Sequence, residues 1–330
     1  IASTPFHKSL GYIYSQTTQF LGMKALEHEY KVMGLAPYAK NYFKATYERL
    51  FKPLIGVDEK TLEFTCKFPL NRTLDYLKEN ATCERFDNIA AAVQHLAEEV
   101  TTKLVAASLK KTNANSIYLG GGVFMNVKLN LKLAEMEQVA QVHPFPSCGD
   151  ESTAMGACYY EYIHNFGKKP QETQRVKGLY LGPEYTNQYV EEMIKRTDLR
   201  HRFMVEYYSD MEGTIAELLV KKKNVARLAG KGEWGARSLG NRAILGNPSD
   251  RETFYKINNQ IKMRDFWMPF APTILKEREA DYIENPKGIE APYMIMAFHS
   301  TQRAQTELVA AIHQADKTCR PQVLEKGWNP

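Results

Sequence analysis

Apolar residues form one stripe over residues 86–111. Ile89, Val93, Leu96, Val100 and Leu104 stand four, three, four and four positions apart, the spacing that keeps side chains on a single helix face. Asn113 and Asn115 break the pattern. Ser116-Ile117-Tyr118-Leu119 is too short for a helix and reads as a buried strand. Gly120-Gly121-Gly122 follows, and residues 123–133 resume helical spacing. Residues 138–143 read as the next strand, stopped by Pro144 and Pro146. The loop Ser147-Cys148-Gly149-Asp150 then leads into a predicted helix over 152–164. Strand, loop and helix alternating in this way predict an α/β domain.

The polar stretch Gly167-Lys168-Lys169-Pro170-Gln171-Glu172 carries both chain-breaking residues and marks a boundary. It divides the chain into domains over 1–168 and 174–330. Beyond it, residues 179–181 and 205–208 read as strands. A helix is predicted over 211–222 with Ile215, Leu218 and Leu219 on one face. Residues 224–228 read as a strand entering Gly230-Lys231-Gly232. The second domain is therefore also mixed α and β.

A chain of 330 residues favours two domains over one. With 44% hydrophobic and 25% charged residues it has the balance of a globular protein with a real core. The net charge of +5 is spread out, and its longest run, Lys221-Lys222-Lys223, suits a solvated helix end better than a nucleic-acid surface. The five cysteines contain no CxxC pair, which argues against a zinc site or disulfide framework and for a reducing, cytoplasmic setting. Asn71-Arg72-Thr73 and Asn80-Ala81-Thr82 match the glycosylation sequon, but nothing else points to secretion. No apolar stretch approaches the ~18 residues of a membrane helix, and no signal peptide is read. The chain opens on Ile1 and is read as part of a longer protein.

Three segments carry candidate chemistry. In Gly120-Gly121-Gly122-Val123-Phe124-Met125-Asn126, glycines between strand and helix let a ligand approach the backbone, and helix amides favour an anion. A tight turn without a ligand explains them equally well, and the pattern is neither the Walker nor the dinucleotide form. In Ser147-Cys148-Gly149-Asp150-Glu151-Ser152, Asp150 is placed to cap a helix, the commoner role, or to bind a metal with partners from elsewhere. The densest segment is 230–242, where Gly230, Gly232, Gly235 and Gly240 alternate with Lys231, Arg237 and Arg242. Lys262, Arg264 and Trp267-Met268-Pro269-Phe270-Ala271-Pro272 follow. Glycine and arginine together suit a phosphate ester. His313, Asp316 and Arg320 sit in a further turn whose spacing decides nothing alone.

The order of these segments resembles the carbamoyltransferase family that includes the nodulation-factor and tobramycin carbamoyltransferases. The likeness begins at Ser9-Leu10-Gly11 and runs through Glu29-Tyr30-Lys31-Val32-Met33-Gly34-Leu35-Ala36-Pro37-Tyr38. It continues with Gly121-Gly122-Val123, Asn126 and Gly149-Asp150. Its most specific part is Glu233-Trp234-Gly235-Ala236-Arg237-Ser238-Leu239-Gly240-Asn241-Arg242. Lys262, Arg264, Pro269-Phe270-Ala271-Pro272, Asp316, Thr318, Arg320 and Gln322 complete it.

The resemblance implies an O-carbamoyltransferase that uses ATP and carbamoyl phosphate to carbamoylate a hydroxyl of a small molecule through carbamoyl-adenylate. It implies a partial actin-like, sugar-kinase-like ATPase domain, followed by a domain like threonylcarbamoyl-adenylate synthases. Gly121, Gly122 and Asn126 would hold nucleotide, with Glu29 and Lys31. Arg237, Lys262 and Arg320 would form the anion site, and Asp150 would ligate a divalent, iron-type metal or magnesium. The family's metal-binding histidine pair at i and i+4 has no counterpart among the eight histidines here, so both ends are expected to be missing and transfer to be incomplete. Ala39 and Met268 stand where many relatives have Gly and Arg. A tRNA-modifying threonylcarbamoyl-type enzyme and a non-catalytic nucleotide-binding remnant are the alternatives. The acceptor and its base are not read.

Overall fold

The structure, a computed structural model, describes residues 2–174, 176 and 178–328, and it is a mixed α/β fold. Its spine is the helix Phe86–Thr112. Ile89, Val93, Leu96 and Val100 are buried along the predicted stripe. Lys110 and Lys111 occupy the last turn, where cations meet the carbonyl end of the helix dipole, and Asn113 turns the chain out with φ of 54°. The helices Leu10–Phe20 and Glu29–Leu35 pack against this spine, and Thr73–Asn80 packs against the first of them. Together they enclose Ile13, Leu35, Phe51, Leu70 and Leu77. Each such side chain contributes about 1.5–3 kcal/mol by leaving water.

The strands Ser116–Leu119 and Gln141–Pro144 pair in parallel, with Leu119 opposite Pro144. The loops that follow them therefore leave from one edge of the pair. The Phe145 amide donates to the Leu119 carbonyl at 2.8 Å and draws the second loop towards the first. Between the strands, the single helix expected over 123–133 is two pieces: a 3-10 turn Gly122–Met125 and an α-helix Val127–Ala134. Asn126 divides them because its backbone leaves the helical region while its side chain accepts the Leu129 amide at 3.0 Å. The helix Ser152–His164 stands as predicted.

In the second half, Val225–Leu228 and Arg242–Leu245 pair antiparallel and enclose the 229–241 loop. Two predicted strands differ. Residues 179–181 reduce to one bridge between Tyr180 and Glu233, and 205–208 form no strand. Phe203, Met204 and Tyr207 are exposed there, so no neighbouring strand completes a ladder, and residue preference alone does not make one. The helix expected over 211–222 is Met211–Val220, with Ile215 buried but Leu218 exposed. Further on, Thr273–Leu275 runs parallel to Gln322–Leu324. Phe298–Ser300 lies between Ile283–Glu284 and Thr318–Cys319, antiparallel to both. A second core joins Leu119, Leu129, Leu133 and Val142 to Ile274, Ile295, Phe298, Ile312 and Val323, so it draws on residues from both sides of the 167–172 stretch. No helix among the described residues is long and apolar enough to cross a membrane.

Candidate functional site

The glycine turn faces open space. A Cβ at Gly120, Gly121 or Gly122 would meet nothing within 4 Å, so the need for glycine at position 121 lies in its φ of +95°. Asn126 closes the turn within a polar network. Its Oδ1 accepts the Leu129 amide at 3.0 Å and Gln94 Nε2 at 3.2 Å, and its Nδ2 donates to Gln94 Oε1 at 2.7 Å. Both acceptor positions are thus used, and the side chain also interacts with the Tyr14 hydroxyl, so Asn126 is committed to this network. The Tyr14 hydroxyl donates to Gln94 Oε1 at 2.8 Å, and Gln94 Nε2 also donates to Glu98 at 2.7 Å. Burial pushes the Tyr14 hydroxyl well above its ordinary range, with the Glu98 and Glu29 charges adding to it. Burial likewise pushes the Glu98 carboxyl up, against Lys128 and Lys132.

Glu29 and Lys31 lie on the helix Glu29–Leu35, and both already have partners. Glu29 accepts the Leu26 amide at 2.6 Å, and Lys31 pairs with Asp265 at 3.0 Å. Trp267 Nε1 donates to the Lys31 carbonyl at 3.1 Å, so this helix end is tied to the segment bearing Lys262 and Arg264.

Arg237, Arg264 and Arg320 form a cationic group. Burial depresses the Arg320 guanidinium well below its ordinary value, and the charges of Arg237 and Arg264 depress it further. Burial also depresses Arg237, opposed by Tyr30 and Glu151. Lys262 stands at the exposed rim, lowered by partial burial and then by Arg264. None of the four has an ion pair among the described residues. Arg320 donates to the Met294 carbonyl at 3.2 Å. Arg237 makes one long contact, 3.5 Å to the Met125 carbonyl, and its buried Nε has no partner among the described residues. Since Met125 ends the glycine turn, Arg237 joins the cations to that turn.

The third loop abuts the same place. Gly235 has φ of +101°, and a Cβ there would lie 2.8 Å from Ser147 Oγ, so both backbone shape and close approach require glycine. The Ser147 hydroxyl donates to the Glu151 carboxylate. Asp150 is exposed, and its backbone carbonyl accepts the Thr153 amide at 3.1 Å and hydroxyl at 2.6 Å. Among the described residues no group of three or more His, Cys, Asp or Glu side chains is placed to hold a metal ion. Among the described residues Asp150 therefore has too few neighbours of these types to complete a divalent site.

The turn before Arg320 crosses between the two halves of the chain. Buried His313 donates through Nε2 to the Gly34 carbonyl at 2.8 Å, and its Nδ1 lies 3.2 Å from Asp316. Asp316 pairs with Lys128, on the helix after the glycine turn. Burial alone would raise the Asp316 carboxyl, but His313 and Lys128 together hold it far below the usual carboxylate range. Lys128 also donates to Thr318 at 2.6 Å.

Residues 2–159 match the family model of the carbamoyltransferase N-terminus, and residues 216–330 match that of the carbamoyltransferase C-terminus. The chain belongs to the carbamoyltransferase family. It is 32% identical over 343 residues to the uncharacterised protein MJ1051 of Methanocaldococcus jannaschii, covering 100% of this chain and 62% of that one. To MJ1058 of the same organism it is 29% identical over 326 residues, covering 98% and 52%. To the nodulation protein NolO of Bradyrhizobium diazoefficiens it is 26% identical over 333 residues, covering 100% and 60%. This carbamoyltransferase chain therefore spans between 52% and 62% of the length of these relatives.

Sequence reasoning missed the supports of this candidate site. Gln94 had a signal, being a polar residue on the buried side of the long helix beside Ala90 and Ala97. Asn130 had none. It is fully buried and donates to the Phe124 carbonyl at 2.8 Å and the Ile295 carbonyl at 2.9 Å, clamping the glycine turn to the second half of the chain.

Proposed function

We propose that this chain carries the donor-activating site and part of the transfer site of an ATP-using O-carbamoyltransferase. The observation that carries the reading is the group of Arg237, Arg264 and Arg320, with Lys262 at its rim, lacking carboxylate partners among the described residues and touching the glycine turn. Like charges drawn partly out of water without an ion pair are costly unless an anion comes between them. Carbamoyl phosphate and ATP are such anions, and Arg suits bidentate contact with them.

In this reading carbamoyl phosphate loses its phosphate to water and leaves carbamate. A carbamate oxygen attacks the α-phosphorus of ATP, and pyrophosphate departs, giving carbamoyl-adenylate. The acceptor hydroxyl then attacks the carbamoyl carbon and AMP leaves. Arg237, Arg264 and Arg320 would neutralise the phosphate oxygens as charge shifts onto the leaving pyrophosphate. Lys262, at the rim, would add a point charge. Gly121 and Gly122 would admit the nucleotide close to the backbone, with Asn126 fixing the turn beside it. The parallel strand pair with both loops at one edge supports an actin-like, sugar-kinase-like origin for the first half. The hairpin around the 229–241 loop supports an adenylate-forming second half. A small hydroxylated acceptor is favoured over tRNA because the cations gather in one group rather than on a broad aromatic face.

The test is mass spectrometry of the purified chain with ATP, carbamoyl phosphate and hydroxylated acceptors, with Lys262→Ala in parallel. The unaltered chain should form carbamoyl-adenylate, and Lys262→Ala should lose it while keeping its fold. Normal adenylate formation by Lys262→Ala refutes that role.

A further inference from the structure

We infer that Glu233 is the positioning residue for Arg237, filling the loop's backbone amide nest so that side-chain cations, not backbone N–H groups, meet the donor's phosphate. The inference rests on the anion-site reading of Arg237, Arg264 and Arg320. Glu233 Oε1 accepts the amides of Leu239 at 2.9 Å, Asn241 at 2.7 Å and Arg242 at 3.1 Å. Converging amides of this kind form an anion-binding concavity. Gly240, with φ of +107°, bends the chain between them. In a glycine-rich phosphate loop such amides face the ligand. Here an internal carboxylate already has them.

The same loop is held by its carbonyls. Tyr180 and Gln322 donate to the Leu239 carbonyl at 2.9 and 3.1 Å. The Arg242 guanidinium donates to Ala229 at 2.6 Å and Gly230 at 3.1 Å. Arg237 has only its 3.5 Å contact with Met125, and Glu233 makes no ion pair with it among the described residues. The place of the Arg237 guanidinium is therefore set by the shape of the loop, and Glu233, through its three amides, is one of the groups that fix that shape, with Tyr180, Gln322 and Arg242.

The experiment measures calorimetric binding of inorganic phosphate and carbamoyl phosphate by the 330-residue chain and its variants. Glu233→Ala should weaken binding about tenfold, as should Arg237→Ala. Because Glu233 acts through Arg237, the double variant should bind no more weakly than Arg237→Ala alone. Glu233→Gln keeps the acceptor oxygen and should stay within about threefold. Losses that multiply in the double variant overturn the inference, as does a folded Glu233→Ala that binds unchanged or a Glu233→Gln as weak as Glu233→Ala. Hydrogen exchange on the unaltered chain gives a second reading that needs no variant to fold. The Leu239, Asn241 and Arg242 amides should be protected without phosphate and no better protected with it, whereas new protection on adding phosphate gives those amides to the ligand and overturns the inference. If Arg237→Ala binds phosphate as the unaltered chain does, the anion-site reading falls and this inference with it, whatever the exchange shows.

Discussion

Replacing Arg320 by methionine should make the empty protein more stable and its anion site weaker. Arg320 is half-buried, is repelled by Arg237 and Arg264, and has one hydrogen bond among the described residues, to Met294. Like charges that share a partly desolvated space repel by about 1–2 kcal/mol each at an effective dielectric near 20, so two neighbours cost about 2–4 kcal/mol together. Methionine keeps most of the apolar stem. It leaves the Met294 carbonyl without its donor, a loss of about 1–2 kcal/mol. The balance is a gain of about 1–2 kcal/mol, or roughly 2–3 °C in Tm for a chain of this length. The guanidinium is held below its ordinary value, so its charged form is the disfavoured one, and the cost is present at every pH where it stays charged.

Phosphate reverses the order. A ligand at about 100 times its Kd stabilises by about 2.7 kcal/mol, and a variant lacking one charge-assisted contact binds about 10–100-fold more weakly. Thermal melts with and without phosphate read both effects. Arg320→Met should melt higher without phosphate and gain little on its addition. A variant that melts lower in plain buffer and keeps the full phosphate shift would refute the idea of a cationic group waiting for an anion.

Asp316→Asn should destabilise by about 1–2 kcal/mol at pH 7, because it leaves Lys128 and His313 without their carboxylate in a partly solvated pair. The Asp316 value is depressed on folding, so its contribution is complete above the ordinary carboxyl value near 4 and fades only below it; the difference in denaturant midpoint should hold from pH 5 to 8. Glu98→Gln should act the other way, since burial raises the Glu98 carboxyl and penalises its charge. The variant should melt higher at pH 7.5, with the difference shrinking as pH falls and gone only below the ordinary carboxyl value near 4, where both states are protonated. Asn130→Ala should cost about 2 kcal/mol in chemical denaturation by taking the donor from the Phe124 and Ile295 carbonyls. Gly121→Ala should cost about 1–2 kcal/mol through its positive φ alone, because its methyl meets nothing.

Local periodicity determined the long helix, the Ser116–Leu119 strand and the Ser152–His164 helix, because each pattern closes within a few turns or a few residues. The residue types of 230–242 pointed to an anion, because glycine with arginine in a turn has few packing uses. Residues 205–208 looked equally like a strand, yet a strand exists only where a partner offers its ladder, and that is a property of the assembled chain. Contacts between distant segments were likewise hidden. No spacing shows that Arg237 reaches Met125, 112 positions away, or that Asp316 pairs with Lys128. The Glu233 carboxylate was in plain view as a charge, but only the folded loop turns three amides towards it. Sequence specified which groups were present and how each element coils. Tertiary packing decided which cations share a low-dielectric space, and there proximity sets the energy.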